Sequence, residues 1–271
     1  MSAQVYTLSE GRVPLLISMP HNGELIAREI KASMTERGLS VPDTDWCIDL
    51  LYDFAKELGV YTIKPSYNRN VIDLNRDPQG VNLYPGAQST ELCPTSCFDF
   101  SAIYLAGQLP DEQEVQRRIS DYWQPYHQQL STQLTQMQQQ YGIAILLDAH
   151  SIRSEVQRFF SGQLPDFNFG TVDGASCSRE LQSHLDDFCC APYSQISNGR
   201  FKGGYITRAY GQPQQNIHAI QLELSQRTYM HEATAVYAEE KALAVKKVLR
   251  ALVLHLLDFA QQNSRSTDIE K

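Results

Sequence analysis

The chain has 271 residues, 23 Lys+Arg against 31 Asp+Glu, and a formal net charge of −8. That balance excludes a nucleic-acid binder that gains affinity by releasing phosphate counterions from a basic face. At 42% apolar and 20% charged, the chain is globular and long enough to bury roughly 75% of its unfolded surface. One domain over residues 1–271 is expected, with a polar tail at about 261–271.

Residues 1–10 carry no basic stretch followed by an apolar one, and no run reaches about 18 apolar residues. A soluble, cytoplasmic protein that does not enter a membrane is expected. Six cysteines at 47, 93, 97, 177, 189 and 190 form no CxxC pair and no structural zinc spacing. They read as reduced thiols. For Cys93 and Cys97 the choice is between packed thiols and a bridge or metal pair.

Val13 to Met19 reads as a buried strand that delivers His21 just beyond its end. Asp43-Thr44-Asp45 predicts a helix start, with Trp46, Leu50, Leu51, Phe54 and Leu58 as its apolar face and Gly59 as its stop. Val60 to Ile63 is a short strand. Residues 66–100, punctuated by Pro78, Gly80, Pro85, Gly86 and Pro94, form an irregular segment of the kind that often carries function. Apolar residues three and four apart predict one or two helices over Asp111 to Tyr141, bent at Pro125. Ile143 to Leu147 is a strand leading to Asp148 and His150. Further on come a helix near Ser178 to Phe188, an alternating strand at His218 to Leu224, and a closing helix over about Glu232 to Ala260. Strands alternating with helices describe an open α/β sheet, with chemistry in loops beyond its carboxyl edge.

The pattern His21-x-x-Glu24 after one strand and His150 after another offers two imidazoles and a carboxylate, a common three-ligand catalytic zinc set with a fourth place for water. Either element alone is weak. Asp148, two residues before His150, either accepts the other imidazole N–H or caps nearby amides. Glu223 is a lone carboxylate in the apolar run IHAIQLEL. It is either a general base near a cation or the partner of an arginine such as Arg227. Residues 68–77 concentrate Arg69, Arg76 and three asparagines, which could hold an anionic substrate or form solvated surface pairs. Arg153 and Arg208, the latter among four glycines, are candidates for a second anionic group. No G-x-S-x-G elbow, G-x-G-x-x-G turn or Walker A sequence occurs. His127, His184, His218, His231 and His255 read as ordinary surface or core residues.

Together, SMPHNGE, NRNVIDLNRDP, ILLDAHS, RFFSGQLPDFNFGT, NGRFKGGYITRAYGQP and HAIQLELSQRTYM resemble the N-formylglutamate amidohydrolase family of histidine degradation. More distantly, HxxE, a later His and DLNR are similar to the zinc carboxypeptidase and aspartoacylase group. That resemblance implies a three-layer α/β/α fold around a mixed, mostly parallel, eight-stranded sheet, here a single zinc-hydrolase domain. It implies His21, Glu24 and His150 as ligands of one zinc ion per chain, Glu223 as acid/base and Arg69 as oxyanion stabiliser. Asn75 and Arg76 match the pair that holds a substrate carboxylate. Arg153 and Arg208 are inferred here from a substrate with two carboxylates. Ala209 stands where many relatives have His, so no role is carried over to it. The expected partner is a small anionic N-acyl amino acid. The rivals are a zinc amidohydrolase or carboxypeptidase acting on another such compound, and a non-catalytic metal or amino-acid binding protein.

Overall fold

The structure, a computed structural model, describes residues 4–83, 86 and 88–264. Its central sheet contains β1 (Tyr6–Ser9), β2 (Leu15–Ser18), β3 (Tyr61–Pro65), β4 (Ala144–Ile152), β5 (Phe167–Gly170), β6 (Gln195–Ser197) and β7 (Ile217–Ser225), in the order β1-β3-β2-β4-β7-β5-β6. β3, β2, β4 and β7 run parallel to one another. β1 and β5 are antiparallel to β3 and β7, and β6 is parallel to β5. The sheet is mixed and mostly parallel, as expected, with seven strands among the described residues rather than eight. The helices are α1 (Arg28–Lys31), α2 (Glu36–Leu39), α3 (Ile48–Leu51), α4 (Glu112–Arg118), α5 (Gln124–Tyr141), α6 (Arg179–Asp186), α7 (Tyr205–Tyr210) and α8 (Glu239–Asn263). No helix among the described residues is long and apolar enough to cross a membrane.

Alternation along the strands divides the interior into two cores. Leu15 and Ile17, Ile145 and Leu147, and Ile220 and Leu222 face one side, against α3, α6 and α8. Leu16, Leu146 and Ala219 face the other, against Tyr126, Leu130, Leu134 and Met137 of α5. The middle strands are therefore buried on both faces. For that reason they read as continuous apolar runs, and a polar side chain within them needs a local partner.

Several predicted elements change at their ends. The helix expected from Asp43 shrinks to α3 and a 3-10 turn at Asp53–Lys56, because Cys47 adopts a left-handed φ of 58°. The acids read as its start are used elsewhere: Asp43 accepts the Phe98 amide at 2.8 Å and Asp45 accepts the Ser151 amide at 3.0 Å. Tertiary hydrogen bonds override local helix preference here. Leu50, placed on the apolar face, is exposed instead. Gly59 does stop this stretch, with φ +70°.

The bend at Pro125 takes the form of a π-helical turn at Ile119–Trp123 between α4 and α5. β4 extends to Ile152, so Asp148 and His150 lie within a strand rather than after it. The closing helix begins at Glu239, not Glu232. A small hairpin, β8 (Met230–His231) with β9 (Val236–Tyr237), precedes it, and Glu232 accepts the Ser154 amide at 2.6 Å. α8 takes in the first residues of the expected tail, while 265–271, like Pro85, lie outside the described residues. All six cysteines are free thiols, with Cys93 and Cys97 buried.

Candidate active site

The site forms at the carboxyl ends of β2, β4 and β7. After β2 the chain turns sharply, with the Asn22 amide donating to the Met19 carbonyl at 3.2 Å, and this places His21 under the sheet edge. Gly23 then runs against the Tyr67 backbone so closely that a Cβ there would lie 2.2 Å from the Tyr67 carbonyl oxygen. The next residues continue beside that strand end, the Leu25 amide donating to Ser66. On a helical turn, residues three apart share one face, which would aim both HxxE side chains at one ion. Here the segment is not helical, and Glu24 is exposed.

The carboxylate that lies beside both imidazoles is that of Asp45. Its amide donates to the His21 carbonyl at 3.1 Å. Its Oδ2 lies 3.2 Å from His150 Nδ1 and 3.8 Å from His21 Nδ1. The two Nδ1 atoms are 3.1 Å apart. All three residues are buried, and one donor atom from each lies within 4.8 Å of the others.

The far nitrogen of each imidazole is committed. His21 Nε2 donates to Asp73 Oδ1 at 2.7 Å, and His150 Nε2 to Asp148 Oδ2 at 3.0 Å. Two carboxylates thus set both tautomers, so that the lone pairs of the Nδ1 atoms face each other. Such an arrangement is repulsive unless a positive charge lies between them. The acids supply the field for one. Burial opposes charge on His150, yet Asp148 and then Asp45 outweigh it and hold its pKa well above the ordinary imidazole value. At His21, burial and then the neighbouring Arg69 lower the pKa. Donors about 2.0–2.1 Å from a tetrahedral zinc stand roughly 3.3–3.4 Å apart. By spacing and chemistry, His21, Asp45 and His150 fit an ion of that kind.

Glu223 lies on β7 directly across from His150 in the β4–β7 register. Burial pushes its carboxyl up to about 8, with His150 and Arg69 pulling it back. Gln221 Nε2 donates to its Oε2 at 3.4 Å. The alternative partner is taken: Arg227 pairs with Asp166 at 2.8 Å. Arg69 lies beside His21, its Nη1 3.2 Å from Nδ1, and donates through Nη2 to Asp73 at 2.6 Å. Burial works against the charge of Asp73, but Arg69, His21 and Arg76 hold its carboxyl well below the usual range.

Asn75 reaches the same cluster from behind. Its Nδ2 lies 2.9 Å from His150 Nε2 and donates to Asp148 at 3.3 Å, while its Oδ1 accepts the Ile206 amide at 2.8 Å. Gly204 packs on it so tightly that a Cβ there would come within 2.4 Å of Nδ2. These bonds tie Asn75 to protein groups. Arg76 lines the pocket and donates from Nε and Nη2 to Thr90. The carbonyls on either side of Asn75 are held by α5 and the π-turn. His127 Nε2 donates to Leu74 at 2.8 Å and Trp123 Nε1 to Arg76 at 3.2 Å, and the two rings stack 3.7 Å apart.

The pocket in front of these groups is lined by His21, Asp45, Arg69, Arg76, His150 and Glu223, among others. Arg153 is exposed and lines a neighbouring cavity, because β4 ends at Ile152 and the next side chain turns outward. Arg208 on α7 donates to the Gly203 carbonyl at 3.0 Å and does not line the pocket. The third arginine that lines it, beside Arg69 and Arg76, is Arg200, which the sequence reading passed over along with Asp45 and Asp73. DTDW resembles a helix cap, and nothing in the local pattern marks Asp73 or Arg200 apart from its neighbours.

Comparison with known proteins places this geometry. The family model for N-formylglutamate amidohydrolase matches residues 13–230. The chain is 45% identical over 262 residues to the N-formylglutamate deformylase of Pseudomonas aeruginosa, covering 96% of this chain and 98% of that one. It is equally identical over 257 residues to the Pseudomonas putida protein of the same name, covering 94% and 96%. Its fold matches the crystal structure of N-formylglutamate amidohydrolase from Ralstonia eutropha JMP134 with a TM-score of 0.81 at 23% identity, over 95% and 99% of the two chains. A gene product of Agrobacterium tumefaciens matches with a TM-score of 0.67 at 15% identity, over 96% of each chain. With four-fifths of its residues inside the family model and the pocket built from the matched segments, the chain belongs to the N-formylglutamate amidohydrolase family.

Proposed function

We propose that the protein is a zinc-dependent, cytoplasmic N-formylglutamate deformylase that hydrolyses N-formyl-L-glutamate to formate and L-glutamate in histidine degradation. One observation carries the reading. Two imidazoles and Asp45 converge on one point with Glu223 across the strand register from His150, in a chain 45% identical to relatives of that name.

His21, Asp45 and His150 would hold the ion. When bound, zinc polarises the formyl oxygen and makes a water more acidic. Glu223 receives the proton of the attacking water and returns it to the leaving amine. Burial raises this carboxyl, and a cation held by His21, Asp45 and His150 would draw it back down, toward the range of a group that takes and returns a proton near neutrality. Arg69, fixed by Asp73 on the pocket wall, lies where it can stabilise the oxyanion that develops at the formyl carbon. Arg76 offers a guanidinium to a substrate carboxylate. The formyl group has almost no surface to recognise, so binding energy comes from the amino-acid portion and positions the amide. A cationic pocket in an acidic protein admits a small anion and has no use for nucleic acid.

Formate release from N-formyl-L-glutamate, measured with metal content per chain and repeated after chelation, tests the reading. The expected result is turnover that disappears with the metal and returns with zinc. Turnover unaffected by complete metal removal would refute the zinc assignment, and no turnover in the zinc-loaded protein would refute the activity.

A further inference from the structure

A dicarboxylic substrate needs a second cationic contact, and the pocket offers one. Arg200 lies on the segment between β6 and α7 and lines the pocket. Its guanidinium is half-buried and oriented. Nε donates to the Phe159 carbonyl at 2.6 Å and Nη2 to the Gln88 carbonyl at 3.4 Å. Its carbon lies 5.3 Å from the Phe201 ring centroid and 6.0 Å from that of Phe159.

The base of the segment is pinned as well. Asn198 has φ +52°, its Oδ1 accepts the Thr171 and Asp173 amides, and its Nδ2 donates to Thr171 Oγ1 at 2.8 Å. A guanidinium held by carbonyls and lying over two rings has less freedom left to lose on binding a carboxylate.

The other two arginines of the pocket do different work. Arg69 is bound to Asp73 beside His21. Arg76 is fastened to Thr90 and to the Asn75 carbonyl. Phe98, Phe159 and Phe201 line the same pocket, giving the methylenes of a substrate side chain an apolar wall.

We propose that Arg200 is a specificity-determining residue, receiving the side-chain carboxylate of an N-formyl dicarboxylic amino acid at the aromatic wall of the pocket. The inference rests on the deformylase reading above. A substrate ending in a neutral amide leaves the arginine facing a group that cannot compensate its charge, and this is the source of discrimination.

The test is a cycle of two substrates, N-formyl-L-glutamate and N-formyl-L-glutamine, against the zinc-loaded wild type, Arg200→Met and Arg200→Lys. Arg200→Met is expected to lower kcat/KM for N-formylglutamate by on the order of 10- to 100-fold, mainly through KM, and to leave N-formylglutamine within about threefold. Arg200→Lys keeps the charge without the planar fork and should recover part of the preference. Retained turnover of the glutamine substrate also shows that the variant is folded.

Equal losses on both substrates would mark Arg200 as a structural residue and overturn the proposal, as would an unchanged preference in Arg200→Met. A zinc-loaded wild type that releases no formate from N-formylglutamate removes the deformylase reading, and this inference with it.

Discussion

At the scale of single residues, the exchange of Glu24 for Asp45 has the largest chemical consequence. Glu24 lies three residues from His21 and Asp45 twenty-four, yet Asp45 is the one that faces the paired Nδ1 atoms. Asp45→Asn is therefore expected to lose most of its zinc on gel filtration, with a thermal melt as control for folding. Glu24→Gln should keep both its zinc and its turnover; the opposite outcome in metal analysis would restore Glu24 as the ligand. Glu223→Gln separates chemistry from metal binding. It should retain zinc while kcat drops by on the order of 10²- to 10⁴-fold, the usual loss for a general base. Near-normal turnover would remove Glu223 from the reaction.

At the scale of elements, the two imidazoles come from the ends of β2 and β4 and Asp45 from the loop before α3, and a second tier of structure holds the stretch Leu74 to Arg76 against them. The π-turn before Pro125 belongs to that tier, because it presents Trp123 together with His127 of α5 to two carbonyls that flank Asn75. Trp123→Phe keeps the stacked ring but removes a donor from the Arg76 carbonyl. The expected cost is about 1–3 kcal/mol in chemical denaturation, with a raised KM and unchanged zinc content. A variant as stable and as active as the wild type would show that this contact positions nothing. Gly204→Ala probes the same tier from α7. The glycine has an ordinary φ of −81°, so only the close approach to Asn75 is disturbed. Turnover should fall at least tenfold while the melting temperature changes little.

At the scale of the whole molecule, buried histidines outside the site make the fold sensitive to acid. Burial pushes the pKa of His127 down to about 3 and that of His218 down to about 4. In the unfolded chain both imidazoles take up a proton below about pH 6.5, whereas in the folded chain they stay neutral. The unfolded state therefore binds more protons, and stability falls as pH drops from about 6.5 toward 4, by up to ~1.4 kcal/mol per pH unit for each histidine. Glu114, held down to about 2 chiefly by its hydrogen bond to Arg117, carries the decline to lower pH. Thermal melts across this range test it, and a flat melting temperature from pH 7 to 4.5 would contradict it. At this scale the sequence by itself determined much. Apolar runs and their period-two alternation announce strands buried on both faces, and two of those strands deliver His150 and Glu223 to one register. The motif segments announce the family. Tertiary structure decided which acid faces the paired imidazoles, that Arg200 joins Arg69 and Arg76 in the pocket, and where the helix after Asp43 and the closing helix begin. The physical reason is one of range. Strand patterning is local and repeated, whereas Asp45 is selected by a hydrogen bond from Ser151, 106 residues away, and Arg200 by carbonyls and rings that only the folded chain brings together.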